Sequence, residues 1–349
     1  MVSILIVRTS AIGDVIQTLP VLQYLQKRFP DAKIDWVVEE GIGSFLRQIE
    51  CVSLHRVIEI QTRQWGMALF SLKTYQQIRA FYRTLRSVKY DIIFDLQGNA
   101  KSALITRCAF GKGKVGFGRQ SVREKINLFA TTTQIEMPLE INIRLKYLGL
   151  VQKYFEDKEA FDLKGYTFCI PPEEKKRLEP LSSRLMIAVG SRWKNKTLSE
   201  GGLISFLQKI AESTDVSFLF VFGNETEKAL ANRLIAHFPN RAIVVGDLSL
   251  AAWQTLMCSV DGVVAVDSAA LHLVGTTKTP SFSIFGPTQA SIFKPLEEHH
   301  HTIQGQCPYG RSFIKQCPVL RTCPTGACIQ EISIDAVFGA FQKWYTQIT

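Results

Sequence analysis

Short apolar runs alternate with helically spaced apolar positions along most of the chain. ILIV (4–7) reads as a buried strand, and Ile16, Leu19, Leu22, Leu25 and Phe29 then recur at helical spacing over 14–29. KIDWVVEE (33–40) and RVIEI (56–60) are the next strands, followed by a long amphipathic helix over roughly 69–87. DIIFDLQG (91–98) is a strand running into a polar loop, and KSALITRCAF (101–110) opens another helix. The pattern loosens at GYTFCIPPEEKKRLEP, where the Pro pair and charge run predict a linker. A second alternation follows. Strands are expected at LMIAVGS (185–191), SFLFVFGN (217–224), AIVVGD (242–247), GVVAVDS (262–268) and SFSIFGPT (281–288), with helices at 201–212, 227–238 and 250–260.

Strand–helix alternation of this kind predicts α/β architecture with doubly wound parallel sheets. The economical reading is two Rossmann-like units facing a cleft, with boundaries at 1–167 and 180–330. A last helix over 331–349 is expected to cross back to the first unit. At 349 residues and 46% hydrophobic content the chain has enough apolar material for two cores. No apolar run reaches the roughly 18 residues of a spanning helix. Met1 leads straight into SILIV, so no signal peptide and a cytoplasmic setting are expected.

Charge sharpens this division. Residues 1–150 hold 21 Lys and Arg against 12 Asp and Glu; residues 151–349 hold 20 against 19. The excess therefore lies in the first half and favours an anionic macromolecule or membrane surface there. Ordinary solvated charge is the alternative.

Ligands of open parallel sheets sit beyond the carboxyl ends of strands. In the second half, VGSRWKNKT (189–197) offers Ser191, Arg192, Lys194 and Lys196, a set suited to a diphosphate. FGNETE (222–227) places Glu227 where ribose or adenine contacts are made. In VDSAALHLVG (266–275), Asp267 ends a strand, Ser268 and Ala269 open a helix, and His272 lies one turn on. Each has a plainer reading: a basic loop, a helix-dipole acid, an N-cap and a core histidine. The first half has no P-loop, and no G-x-G-x-x-G in a turn from a predicted strand into a helix (GKGKVG, 111–116, follows a predicted helix), which argues against a nicotinamide enzyme or NTPase. Its loops offer Asp14, Arg63, Gln97, Asn99 and Lys101, then Arg119, Arg123 and Arg144. An acid among cations suits a base that deprotonates a hydroxyl on an anionic acceptor.

These segments together, from ILIVRTSAIGDVIQTLP through TRQW, DLQGNAKSAL, GFGRQSVREK, GSRWKNKTL and VDSAALHLVG to FGPT, resemble the bacterial lipopolysaccharide heptosyltransferases of GT-B fold. TRQWG and QGNAKSALITR are most similar to heptosyltransferase I. The resemblance implies an inverting transferase that moves heptose from ADP-heptose to a Kdo residue of lipid A, with heptose II or a protein hydroxyl as alternative acceptors. It implies peripheral association with the cytoplasmic face of the inner membrane, no nucleic-acid partner and no cofactor. Asp14 matches the proposed base and Lys196 the lysine that steadies the diphosphate. Ser191, Glu227, Asp267, Ser268, Ala269 and His272 fall at donor positions. Arg63, Arg123 and Arg144 fall at basic acceptor positions, beside Gln97 and Lys101. Departures include Arg8 where a lysine is common.

Cys307, Cys317, Cys323 and Cys328 cluster near the C-terminus with spacing unlike a zinc knuckle. Reduced thiols packing a loop-rich tail is the favoured reading; a Zn or Fe site, as some protein-glycosylating relatives carry, is the alternative.

Overall fold

The computed structural model describes all residues except 51–53, 69–70, 163–164, 182–183, 189 and 349. Cys51, the first two positions of the helix expected from 69, and Val189 of the basic loop lie outside the described residues. The chain divides into two compact units, Met1–Lys164 and Gly165–Thr349.

The first unit holds six parallel strands: β1 (Ser3–Val7), β2 (Lys33–Glu39), β3 (Arg56–Ile60), β4 (Tyr90–Asp95), β5 (Gly111–Phe117) and β6 (Thr133–Ile135). The second holds β7 (Leu185–Ala188), β8 (Phe218–Val221), β9 (Ala242–Val245), β10 (Gly262–Val266), β11 (Ser281–Phe285) and β12 (His300–Gln304). The spatial orders are β3-β2-β1-β4-β5-β6 and β12-β11-β10-β7-β8-β9. Counted within each unit, both follow the order 3-2-1-4-5-6 of a dinucleotide-type sheet, whose switch point lies beside the first strand. Val7 pairs with both Val37 and Asp95, so the loops after β1, β2 and β4 open on one edge.

Three strands lack an apolar signal. β5 reads GKGKVGF because its neighbours leave no room: a Cβ on Gly111 would lie 2.6 Å from the Tyr90 carbonyl oxygen, and one on Gly113 3.2 Å from that of Asp91. β6 and β12 are edge strands with few fully buried positions. The helix expected over 14–29 is two helices, Ile12–Ile16 and Leu19–Arg28. Pro20 has no N–H to continue the first, and Thr18 Oγ1 donates to the Asp14 carbonyl instead, at 2.8 Å.

The cores follow the strand pattern. Leu5, Val7, Val37, Ile58, Ile93 and Leu85 pack in the first unit, and Ile187, Phe206, Phe218, Phe220, Val264 and Phe282 in the second. One expectation needs correction. Part of the predicted linker is the helix Pro172–Leu178, which belongs to the second unit: Glu174 accepts from Ser249 Oγ at 3.0 Å. The last helix spans Ile334–Ile348 and turns an apolar face into the second unit. Val337, Phe341 and Trp344 are buried in the second unit's core, where Gly262 leaves the space Trp344 fills.

Candidate active site

In the first unit the chemistry gathers at the carboxyl edge. Asp14 stands at the third position of its short helix, and its Oδ2 accepts from the Ala11 N–H at 3.2 Å. The same oxygen pairs with Arg8 Nη2 at 2.9 Å. Arg8 is buried, donates from Nη1 to the Leu96 carbonyl at 2.7 Å, and lies 4.7 Å from the Tyr147 ring centroid. Burial works against the Arg8 charge, but Asp14 carries its pKa above the ordinary guanidinium value. Burial also pushes the Tyr147 phenol up, keeping it neutral. Arg8, noted in the sequence only as a departure, is thus the side chain that orients the candidate base.

The acceptor candidates separate into two kinds. Arg63 and Arg123 are exposed, and Arg123 lies close enough to influence Tyr147. Gln97 and Arg144 are buried. Gln97 Oε1 accepts from both Thr9 N–H (2.7 Å) and Thr9 Oγ1 (2.8 Å), so it ties two strand-end loops together. Arg144 opens the Ile143–Tyr154 helix, its N–H held by Asn142. Lys101 Nζ meets Glu39 at 3.3 Å and Thr62 Oγ1 at 3.0 Å. Glu39 and Thr62 were not singled out in the sequence; only the polar end of a strand marked the first. A cavity of about 610 Å³ opens beside edge strand β3 around Arg47 and His55, and none of the candidate residues lines it.

The second unit builds a tighter cluster. Asp267 follows β10 and is 4% exposed. Its Oδ2 accepts from Lys196 Nζ at 2.5 Å and Thr288 Oγ1 at 2.6 Å, while His272 Nε2 lies 3.5 Å from Oδ1. Burial opposes its charge, but His272 and Lys196 hold its pKa well below the usual carboxylate range. Ser191 Oγ donates to the Asp267 carbonyl at 3.4 Å. Ser268 Oγ is buried with no protein partner among the described residues, and Ala269 begins the helix beside it. A buried hydroxyl left open in this way calls for a partner from outside the chain. Glu227 accepts from the Gly223 N–H at 2.8 Å and lies against Gly190, where a Cβ would come within 2.3 Å of it. Sequence reading missed Thr288, although the FGPT turn that carries it stood out.

The Lys194–Lys196 turn is fastened from below. Asn195 Nδ2 donates to the carbonyls of Leu320 and Cys323, each at 2.9 Å. Gln330 Nε2 donates to those of Lys194 (3.2 Å) and Thr197 (2.9 Å). Cys307, Cys317, Cys323 and Cys328 line one small cavity of about 30 Å³ beside Asn195 and Pro287. Among the described residues no three His, Cys, Asp or Glu side chains converge to hold a metal ion. Burial, then the neighbouring cysteines, push the Cys328 thiol up to about 11, while N–H groups of Gly326 and Thr325 lower Cys323. The cysteine segment thus packs behind the basic turn.

Two parallel sheets of one topology, one ending in an Arg-held carboxylate and the other in a lysine–acid–hydroxyl cluster, are the parts of a sugar transferase with a GT-B-like fold. The family model "Glycosyltransferase family 9 (heptosyltransferase)" matches residues 78–322, and the chain belongs to that family. The lipopolysaccharide heptosyltransferase 1 of Pseudomonas aeruginosa is 29% identical over 82% of this chain and 79% of its own. The structure of E. coli heptosyltransferase WaaC with ADP superposes with a TM-score of 0.79, at 24% identity, covering 98% of this chain and 99% of that one. The structure of that enzyme with ADP-2-deoxy-2-fluoro heptose gives 0.77 at the same identity and coverage. This chain is a glycosyltransferase, and its two sheets share the fold of those structures.

Proposed function

We propose that the enzyme transfers L-glycero-D-manno-heptose from ADP-heptose to a Kdo hydroxyl of lipid A, at the cytoplasmic face of the inner membrane. The observation that carries this reading is the Lys196–Asp267–Thr288 cluster with the open Ser268 hydroxyl: a held cation and an unpartnered polar atom at one strand end suit a diphosphate. An ADP-sugar analogue in the E. coli structure and the lipopolysaccharide acceptor in the relative's name support the same pair of substrates.

In this scheme Asp14 takes the proton of the acceptor hydroxyl. The oxygen forms a bond to the anomeric carbon as the bond from that carbon to the β-phosphate oxygen breaks, with inversion. The electron pair leaves with ADP, whose growing charge is met by Lys196. Ser191 and Ser268 hydrogen-bond the phosphates, and Glu227 the nucleoside. Arg63, Arg123 and Lys101 attract the anionic acceptor. No step uses a metal ion. ADP release measured with ADP-heptose tests the proposal: turnover is expected with Kdo-lipid A and not with heptosylated core or a protein acceptor. Turnover confined to either of the latter would replace the acceptor assignment.

A further inference from the structure

The Leu72–Arg86 helix is apolar on two sides. Its inner side, Phe81 and Leu85, packs on the first unit's core with Trp65. Its outer side carries Leu72 (73% exposed), Tyr75 (61%), Ile78 and Tyr82, all open to solvent. These positions are three or four residues apart, so they form one stripe. Exposed Arg79, Arg83 and Arg86 lie along it. The stripe continues past the helix: the Arg86 guanidinium lies 5.3 Å from the Tyr82 ring and 5.6 Å from that of Phe110, itself exposed. Leu104 and Arg107 are exposed on the neighbouring Ala100–Cys108 helix.

Acidic residues are missing from two stretches of the sequence that carry this surface. Between Glu59 and Asp91 the sequence has six Lys and Arg and no Asp or Glu, and between Asp95 and Glu124 it again has six and none. Arg79, Arg83, Arg86 and Arg107 beside apolar and tyrosine side chains match the requirements of an interfacial helix: apolar groups enter the headgroup boundary, tyrosines sit at it, and arginines meet lipid phosphates. Two copies of this face brought together would oppose cation to cation, which disfavours self-association. Nucleic acid would satisfy the charge but leave Leu72 and Ile78 unused.

We propose that the outer face of the Leu72–Arg86 helix, continued by Phe110 and Leu104, docks the enzyme on an anionic phospholipid bilayer. The proposal gives a location to the membrane-borne acceptor of the preceding section and rests on that reading for its purpose, but its test is separate. Co-sedimentation of the full chain with phosphatidylglycerol-containing vesicles is expected, with weak binding to pure phosphatidylcholine and loss at high salt. Arg79→Gln with Arg83→Gln, and separately Ile78→Ser with Tyr82→Ser, should each lower vesicle binding about tenfold. Circular dichroism verifies that each double variant is folded, and either one suffices. With a deacylated, water-soluble acceptor kcat should not change in either. Failure of the wild type to bind anionic vesicles, undiminished binding by a folded variant, or binding to RNA or to a second copy in place of vesicles overturns the docking surface. Absence of turnover on every acceptor, with the vesicle pattern intact, overturns the acceptor reading instead.

Discussion

Lys196 Nζ lies 2.5 Å from Asp267 Oδ2, so the cation assigned to the diphosphate is already bound to a buried acid. The pairing sets the direction of the lysine before any ligand arrives. An ammonium group has three donors, and this bond engages one of them. Preorganised charge of this kind has little reorganisation to undergo when negative charge develops on a leaving group.

Lys196→Met and Asp267→Ala should therefore fail in different ways. Loss of Lys196 removes charge stabilisation of departing ADP, and kcat is expected to fall roughly 10²–10³-fold. Loss of Asp267 strands Lys196, His272 and Thr288 without their acceptor, and unfolding in denaturant should show a loss of about 3 kcal/mol. Equal stability loss in both variants with equal kcat would contradict the division.

Asp14→Asn tests the base. Removal of a general base costs about 10²–10⁴ in turnover. KM for ADP-heptose should hardly move, because the donor cluster belongs to the second unit. Arg8→Met retains the carboxylate but removes its buried partner, and kcat should fall by a smaller factor with a changed pH profile. Wild-type turnover by Asp14→Asn would remove the assignment.

Two buried carboxylates, Asp35 and Asp267, contribute to acid sensitivity. Burial raises the proton affinity of Asp35, but Arg56, Tyr90 and His55 outweigh it and lower its pKa; Asp267 is lowered through His272 and Lys196. For each, the folded pKa lies below the unfolded one, so the unfolded chain binds the proton more readily. Their stabilisation is complete above the ordinary carboxylate range, near pH 4, and is lost as pH falls through the folded values. Urea midpoints should stay level above about pH 5 from these two groups and drop below pH 4. Asp35→Asn should flatten that drop for the first unit only, which intrinsic fluorescence and proteolytic mapping would resolve.

Gln97→Leu separates a structural role from an acceptor role. Its Oε1 satisfies the Thr9 N–H and hydroxyl inside the protein. Removing a buried acceptor costs about 1–3 kcal/mol. Thermal unfolding should register that loss, and acceptor KM should change no more than donor KM. An acceptor-specific rise in KM with unchanged stability would return Gln97 to the acceptor site.

Strand ends were legible because buried parallel strands read as apolar runs and the polar residue that follows each one is plain. The candidates Asp14, Ser191, Glu227 and Asp267 were singled out this way. Which side chains meet was not legible: Arg8 turning to Asp14, Thr288 reaching Asp267, and Lys101 meeting Glu39. Nor does composition distinguish a buried polar residue from one on an open loop, so the burial of the acceptor candidates Gln97 and Arg144 was not legible. β5 stayed hidden because close backbone approach selects glycine over the β-branched residues that mark a strand. For the final helix, an apolar face can be read from its sequence, but the partner of that face cannot.

Asn195 provides the last test, because it links the basic turn to the cysteine segment. Its amide donates to Leu320 and Cys323 carbonyls, and Gly326 is packed so closely that an added Cβ would lie 2.9 Å from Asn195 Oδ1. The turn carries Lys196, so slack here displaces the cation while leaving it chemically intact. Asn195→Ala removes both bonds, and a loosened donor site should raise KM for ADP-heptose about tenfold, the equivalent of about 1.4 kcal/mol. KM for the acceptor should stay within about twofold, and kcat should fall less than in Lys196→Met. Alkylation of the partly exposed Cys323, whose sulfur accepts from the Gly326 N–H at 3.4 Å, should disturb the same support and reproduce the donor-specific rise. A proportional rise in both KM values would mean that the cysteine segment supports the fold generally and does not position the donor turn.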